Sequence, residues 1–176
     1  MFRRQMMAMM VAMLTLFPLT AYADARVTAA SALVDTMISD LETFLATDTG
    51  DESARTAEID RVLNTYFDMD SITRFSAGQY WRAASSEQKT EYRSLFREVL
   101  CGKIVRNFDQ LQGLAYTADA ATAKGDKFVI VSGTFTDTTG QRPAVKVNWR
   151  VLTREGAAPK AVSYTHLTLP TKSSVG

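Results

Sequence analysis

Ala144–Leu152 reads AVKVNWRVL, a stretch in which apolar and polar side chains alternate. Alternation with a period of two is typical of a strand that buries one face and leaves the other in water. The preceding stretch, Lys127–Thr136 (KFVIVSGTFT), is rich in β-branched and aromatic residues, and a turn at Gly140 separates the two. They therefore predict neighbouring antiparallel strands, with a weaker strand before them at Leu114–Ala120. The residues that share the apolar side of the alternating stretch are Val145, Val147, Trp149 and Val151.

The chain before residue 113 has the spacing of helices instead. A short helix is expected to be capped by Asp70 or Ser71 and to end near Gly78, and Ser85 with Gln88 forms a capping-box pattern at the start of a longer helix. Helices first and strands afterwards predict an α+β fold, with N-terminal helices packed on a twisted antiparallel sheet. Apolar residues recur every three or four positions in three long segments, 25–46, 53–67 and 86–110.

The first 23 residues have the three parts of a secretory signal. Arg3 and Arg4 precede the apolar run Met6–Leu19 (MMAMMVAMLTLFPL), and residues 21–23 (AYA) fit the small-x-small rule for cleavage. The run is shorter than the ~20 residues of a spanning helix, so we expect export rather than a membrane anchor. The sequence thus predicts a signal peptide at 1–23 and a location outside the cytoplasm.

The last 14 residues, Ser163–Gly176 (SYTHLTLPTKSSVG), break the alternating pattern and resemble translated adaptor sequence at the end of an assembled gene. We therefore expect one domain at 24–162, followed by a non-native tail at 163–176. The domain would be truncated in its C-terminal part, within a strand that begins near Lys160.

Composition and charge narrow the classes of function. Apolar residues make up 46% of the chain and charged residues 22%, values ordinary for a globular protein. The formal net charge is +1 and falls to −1 without Arg3 and Arg4, so no strong field would attract nucleic acid. The one histidine, His166, lies in the C-terminal segment, and the one cysteine, Cys101, has the position of a small buried hydrophobe. Neither a nucleophile–histidine site nor a zinc site is indicated.

One segment is more specific than the rest. Tyr66-Phe67-Asp68 is followed by a short helix, and then by Gly78 and Tyr80-Trp81-Arg82. With Ile72 and Phe75 inside that helix and the capped helix after it, this order resembles the MlaC family, also called the toluene-tolerance family. The similarity covers about residues 25–162.

The resemblance implies a periplasmic phospholipid carrier that is not an enzyme. Members of this family shuttle lipid between an inner-membrane ABC transporter complex and an outer-membrane lipoprotein–porin complex, and so maintain the lipid asymmetry of the outer membrane. The expected cargo is a phospholipid, with no cofactor, no catalytic residue and no metal. We expect a monomer that binds no nucleic acid.

The resemblance also implies an apolar cavity between the helices and the sheet, which would hold the acyl chains. Two sets of residues are expected to line it. The helical set is Phe75, Trp81, Phe96, Val99, Leu100, Ile104 and Phe108. The sheet set is Val129, Val131, Phe135, Val145, Val147, Trp149 and Val151.

Two other classes of function stay open at this point. A small enzyme on a cone-like α+β fold would also be hollow, but would normally place an Asp, Tyr or His at the base of its cavity. A filled-core adaptor protein of the periplasm would use the same apolar residues for an ordinary packed interior.

Overall fold

The computed structural model describes residues 18–168. Most of the predicted signal peptide, residues 1–17, lies outside the described residues, as does 169–176. Within the described part, helices come first and strands follow, which confirms the α+β class. The helices are α1 (Pro18–Thr47), α2 (Glu52–Tyr66), α3 (Met69–Ala77), α4 (Tyr80–Ala83) and α5 (Ser86–Arg106), with a 3₁₀ turn at Phe108–Leu111. The strands are β1 (Leu114–Lys124), β2 (Phe128–Asp137), β3 (Val145–Leu152) and β4 (Lys160–Thr168).

The four strands form an antiparallel meander in the order β1-β2-β3-β4. Val147, Trp149 and Val151 of β3 are buried, while Lys146 and Arg150 are exposed, so the predicted one-sided burial is confirmed. The same face continues onto β2, because Val129 pairs with Val151, Val131 with Trp149 and Gly133 with Val147. The last strand begins at Lys160, as expected, and pairs with β3 through Thr168.

Helix α1 covers the buried face of the sheet. Ala30 and Val34 are fully buried there, and their small size lets the helix approach the strands closely. The Arg26 guanidinium donates to Thr153 Oγ1 (2.9 Å) and to the carbonyls of Gly125 and Phe128, which fixes the helix against two loops of the sheet. Side chains from α1 and the sheet pack together in one buried hydrophobic cluster at this interface.

A second hydrophobic cluster lies between the helices themselves. Phe108 is fully buried there and meets Phe44 edge-on at 5.6 Å between ring centroids. Cys101 is also buried, which confirms its expected role as a small hydrophobe, and burial raises the pKa of its thiol. Phe67, which follows α2, packs against both this cluster and the one under α1. Within residues 18–168, two apolar clusters therefore meet at Phe67.

The helix caps explain where the chain turns, and they correct one expectation. Asp68, rather than Asp70 or Ser71, caps α3, since its carboxylate accepts from Ser71 N at 2.9 Å and the helix begins two or three residues earlier than expected. The capping box of Ser85 and Gln88 at α5 is confirmed in both directions.

None of the helices within residues 18–168 combines the length and the apolar character that a membrane span requires.

Candidate functional site

Helices α3, α4 and α5 leave large apolar side chains in contact with solvent. Phe75 is 87% exposed, Val99 66% and Leu95 51%. Exposed apolar residues are common singly, but a group of large ones on neighbouring helices is typical of a binding surface. We call this group the exposed helical surface; its members are Phe75, Tyr80, Tyr92, Leu95 and Val99.

Local geometry holds the three helices together beneath this surface. Gly78 ends α3 with φ +56° and ψ −131°, a conformation that only glycine adopts without strain, and the chain then turns into α4. Arg93 Nε donates to Asp70 Oδ1 at 2.9 Å, which ties α5 to α3. The hydroxyls of Ser76 and Tyr92 lie 3.1 Å apart and make a second tie between the same helices.

A pocket of about 500 Å³ opens between α3, α4 and α5, next to the exposed helical surface. Its size is within the range of small-molecule sites in proteins. Small alanine side chains leave the space free, and aromatic rings form its walls, with Trp81 edge-on to Tyr92 at 6.4 Å between centroids. The larger side chains that line the pocket are Ser76, Tyr80, Trp81, Gln88, Lys89 and Tyr92.

The helical set from the sequence divides between surface and interior. Phe75 and Val99 are exposed, Trp81 and Phe96 are half-buried, and Phe108 is sealed in the second cluster. Leu100 and Ile104 are half-buried and pack against that same cluster. The structure therefore places only part of this set where a ligand could reach it.

The sheet set is brought together on one face, beneath α1. Five of its members are buried, namely Val129, Val131, Val147, Trp149 and Val151. Phe135 and Val145 are half-buried, and Phe135 packs beside Tyr116 at 5.1 Å. Ala30 and Val34 of α1 belong to the same buried cluster as the buried sheet side chains. Whether the two sets line a lipid site stays a prediction.

Sequence reasoning missed a polar feature on the sheet. The Tyr116 ring crosses Gly133, whose missing side chain leaves room for it: a Cβ there would lie 2.2 Å from the Tyr116 hydroxyl oxygen. That hydroxyl and Trp149 Nε1 are buried without a well-formed hydrogen bond to the described residues. Burial raises the pKa of Tyr116, and the nearby Trp149 indole opposes the rise. The glycine inside a strong strand pattern was the signal available for this close approach.

The pocket was also missed, because its lining comes from three short segments. Lys89 is an ordinary first-turn lysine by sequence, and nothing in the periodicity places it beside Trp81. The ammonium nonetheless lies 5.9 Å from the centroid of that ring, and the Arg93 guanidinium lies 5.0 Å from it.

A comparison with protein families matches residues 31–162 to the MlaC protein family. This chain belongs to the MlaC family. The match includes most of α1, all of α2 to α5, the first three strands and the start of β4, so the exposed helical surface and the pocket both lie in the family-defining part. No curated protein matches the sequence.

Among solved structures, the MlaC-family fold is similar to a phospholipid-binding protein from Ralstonia solanacearum, determined in complex with a phospholipid. The TM-score is 0.61 at 20% sequence identity, and the alignment covers 78% of each chain. At this identity the likeness supports the fold alone.

Proposed function

We propose that this protein binds a phospholipid and carries it through the periplasm. The observation that carries the proposal is the exposed helical surface in a chain of the MlaC family. The phospholipid bound to the Ralstonia solanacearum protein of similar fold supports the same ligand class.

The physical demand on such a carrier is large. Burying hydrocarbon contributes about 0.8 kcal/mol per methylene, so two chains of about 15 methylenes lose on the order of 24 kcal/mol on entering water. Apolar side chains of the protein must replace most of that contact. Phe75, Leu95 and Val99 are available for this, because no described part of the chain covers them.

Helix α1 limits which residues the lipid can meet. The sheet set would contact acyl chains only if α1 separated from the strands, since Val129, Val147 and Val151 are sealed beneath it. We therefore propose that the first contacts of the cargo are with α3, α4 and α5, and that the sheet set joins the site after such a separation.

The carrier would exchange its cargo with an inner-membrane ABC transporter complex and an outer-membrane lipoprotein–porin complex, which together maintain outer-membrane lipid asymmetry. We propose that it does so as an exported monomer that acts by binding rather than by catalysis. Family membership supports these finer points.

Lipid extraction followed by mass spectrometry tests the proposal directly. Protein released from the periplasm without detergent is expected to contain phospholipid in near-stoichiometric amount, and Val99→Gln should lower that amount. Glu98→Gln is the matched control, because it changes the neighbouring exposed position on the same helix without removing apolar surface. Protein that contains no phospholipid, or equal loss in both variants, would contradict the proposal.

A further inference from the structure

The pocket between α3, α4 and α5 has one charged side chain in its lining, Lys89. This lysine is half-buried, and none of the ion pairs found within residues 18–168 includes it. Arg93, whose guanidinium also lies over the Trp81 ring, already has Asp70 as its ion-pair partner. The pocket thus holds a positive charge whose counter-ion is still to be supplied.

The aromatic walls alone would suit a quaternary ammonium group, since cations bind the faces of Trp and Tyr rings. In this protein the side chains of Lys89 and Arg93 already lie over the Trp81 ring as its cation–π partners. A ligand cation would meet two like charges at that ring. An anion would meet attraction from Lys89 instead.

An apolar track leads away from this charged end. Tyr92, Leu95 and Val99 are spaced by three and four residues, so they follow one face of α5. Their exposure increases in that order, and the three span about 10 Å of helix. Phe96 stacks on Tyr92 at 6.0 Å and widens the apolar face. A cationic pocket joined to an apolar track matches an amphiphile with an anionic head.

We propose that this pocket binds the phosphate-bearing head group of the carried lipid, with Lys89 as its counter-charge, and that it makes the carrier prefer anionic over zwitterionic phospholipid. The inference rests on the proposed function, because it assigns the head-group end of the same cargo. The acyl chains would then lie along α5 toward Val99.

The test measures the affinity of the full-length, delipidated protein for two short-chain lipids, dihexanoyl phosphatidylglycerol and dihexanoyl phosphatidylcholine, each kept monomeric in solution. The wild type should prefer the anionic lipid by about 2- to 5-fold, the ratio that one partly exposed charge contact supplies. Lys89→Gln should bring the ratio close to one, and Lys89→Arg should keep it. Lys103→Gln is the matched control, since this exposed lysine lies on the same helix away from the pocket.

Equal affinity of the wild type for the two lipids would overturn the inference while leaving the carrier function intact. A preference that survives Lys89→Gln, or one that Lys103→Gln also removes, would overturn it as well. If neither lipid bound, the proposed function would fail, and this inference with it. Chemical denaturation of each variant verifies that the comparison is made between folded proteins.

A second arm separates the carried lipid from the membrane surface as the source of the phosphate. Co-sedimentation with phosphatidylglycerol vesicles is measured for the same variants. A different outcome would be that Lys89→Gln weakens vesicle binding but leaves the preference for the monomeric anionic lipid unchanged. In that case the pocket would bind head groups at a bilayer surface, and its assignment to the carried lipid would be wrong.

Discussion

The interface under α1 and the layer formed by α3, α4 and α5 use similar apolar residues for different ends. Under α1, branched side chains from the helix and the sheet bury one another completely. Along α3, α4 and α5, equally large side chains face water. The difference shows that what seals an apolar face is the element packed on it, not the composition of the face. A ligand could contact the open layer without separating packed elements of the fold.

The largest expected effect compares the two tryptophans of the chain, one in each region. Trp149 is 8% exposed and packs edge-on to Phe67, so Trp149→Ala should lower the free energy of unfolding by about 3–5 kcal/mol. Trp81 is half-buried beside the pocket, and Trp81→Ala should cost less than about 2 kcal/mol. Urea denaturation of both variants measures the difference. Similar losses would mean that the two regions are equally sealed.

The next effect probes the close approach on the sheet. Gly133→Ala should cost about 1–3 kcal/mol, because the new Cβ would overlap the ring of Tyr116. The same substitution in a Tyr116→Ala background should cost much less, since the obstructing ring is gone. A double-mutant cycle measured by chemical denaturation gives the coupling. Strictly additive losses would rule out the ring as the cause.

A smaller effect is expected at the start of α3, where the two regions join. Asp68→Ala removes the cap and should cost about 1 kcal/mol, whereas Asp68→Asn keeps an acceptor for the backbone of Ser71 and should cost less.

This cap also makes stability depend on pH. Burial raises the pKa of Asp68, but the hydrogen bonds from the Ser71 hydroxyl and backbone outweigh it, and the net pKa is lowered. A carboxyl whose pKa is lower in the folded protein stabilises the fold above its unfolded value of about 3.9, and this contribution is lost as the pH falls through the folded value. Denaturation midpoints measured from neutral to acidic pH should therefore fall less steeply for Asp68→Ala than for the wild type. Parallel curves would refute this role.

The smallest effect on stability is expected on the open layer itself. Leu95 is half-exposed, so Leu95→Gln should change the free energy of unfolding by no more than about 0.5 kcal/mol. The phospholipid content of the purified Leu95→Gln variant should nevertheless fall. A large loss of stability would show that Leu95 belongs to the sealed interior.

Much of the fold could be predicted because local patterns and tertiary packing agree. The alternation of Ala144–Leu152 and the Ser85 capping box each have one structural meaning, and both are confirmed. Strand β1 extends to Lys124, past the predicted end at Ala120, because pairing with β2 outweighs the weak strand preference of its alanines.

The site was harder to predict, since periodicity identifies apolar faces but not the element that covers each one. Phe75 and Phe108 occupy similar positions in the helical pattern, yet one is exposed and the other is fully buried. The sequence around Lys89 gave no indication of the site, because its role depends on Trp81, which lies on a different helix, α4.

Phe67 is expected to couple the unfolding of the two hydrophobic clusters. Its ring is shared by both hydrophobic clusters, it forms a parallel bridge with Ala161, and the next amide, that of Asp68, donates to the Ala161 carbonyl at 2.9 Å. If either cluster unfolded, Phe67 would lose packing contacts that also hold it against the other cluster. A protein with one closed half and one open half would therefore melt as a single cooperative unit, with equal calorimetric and van't Hoff enthalpies.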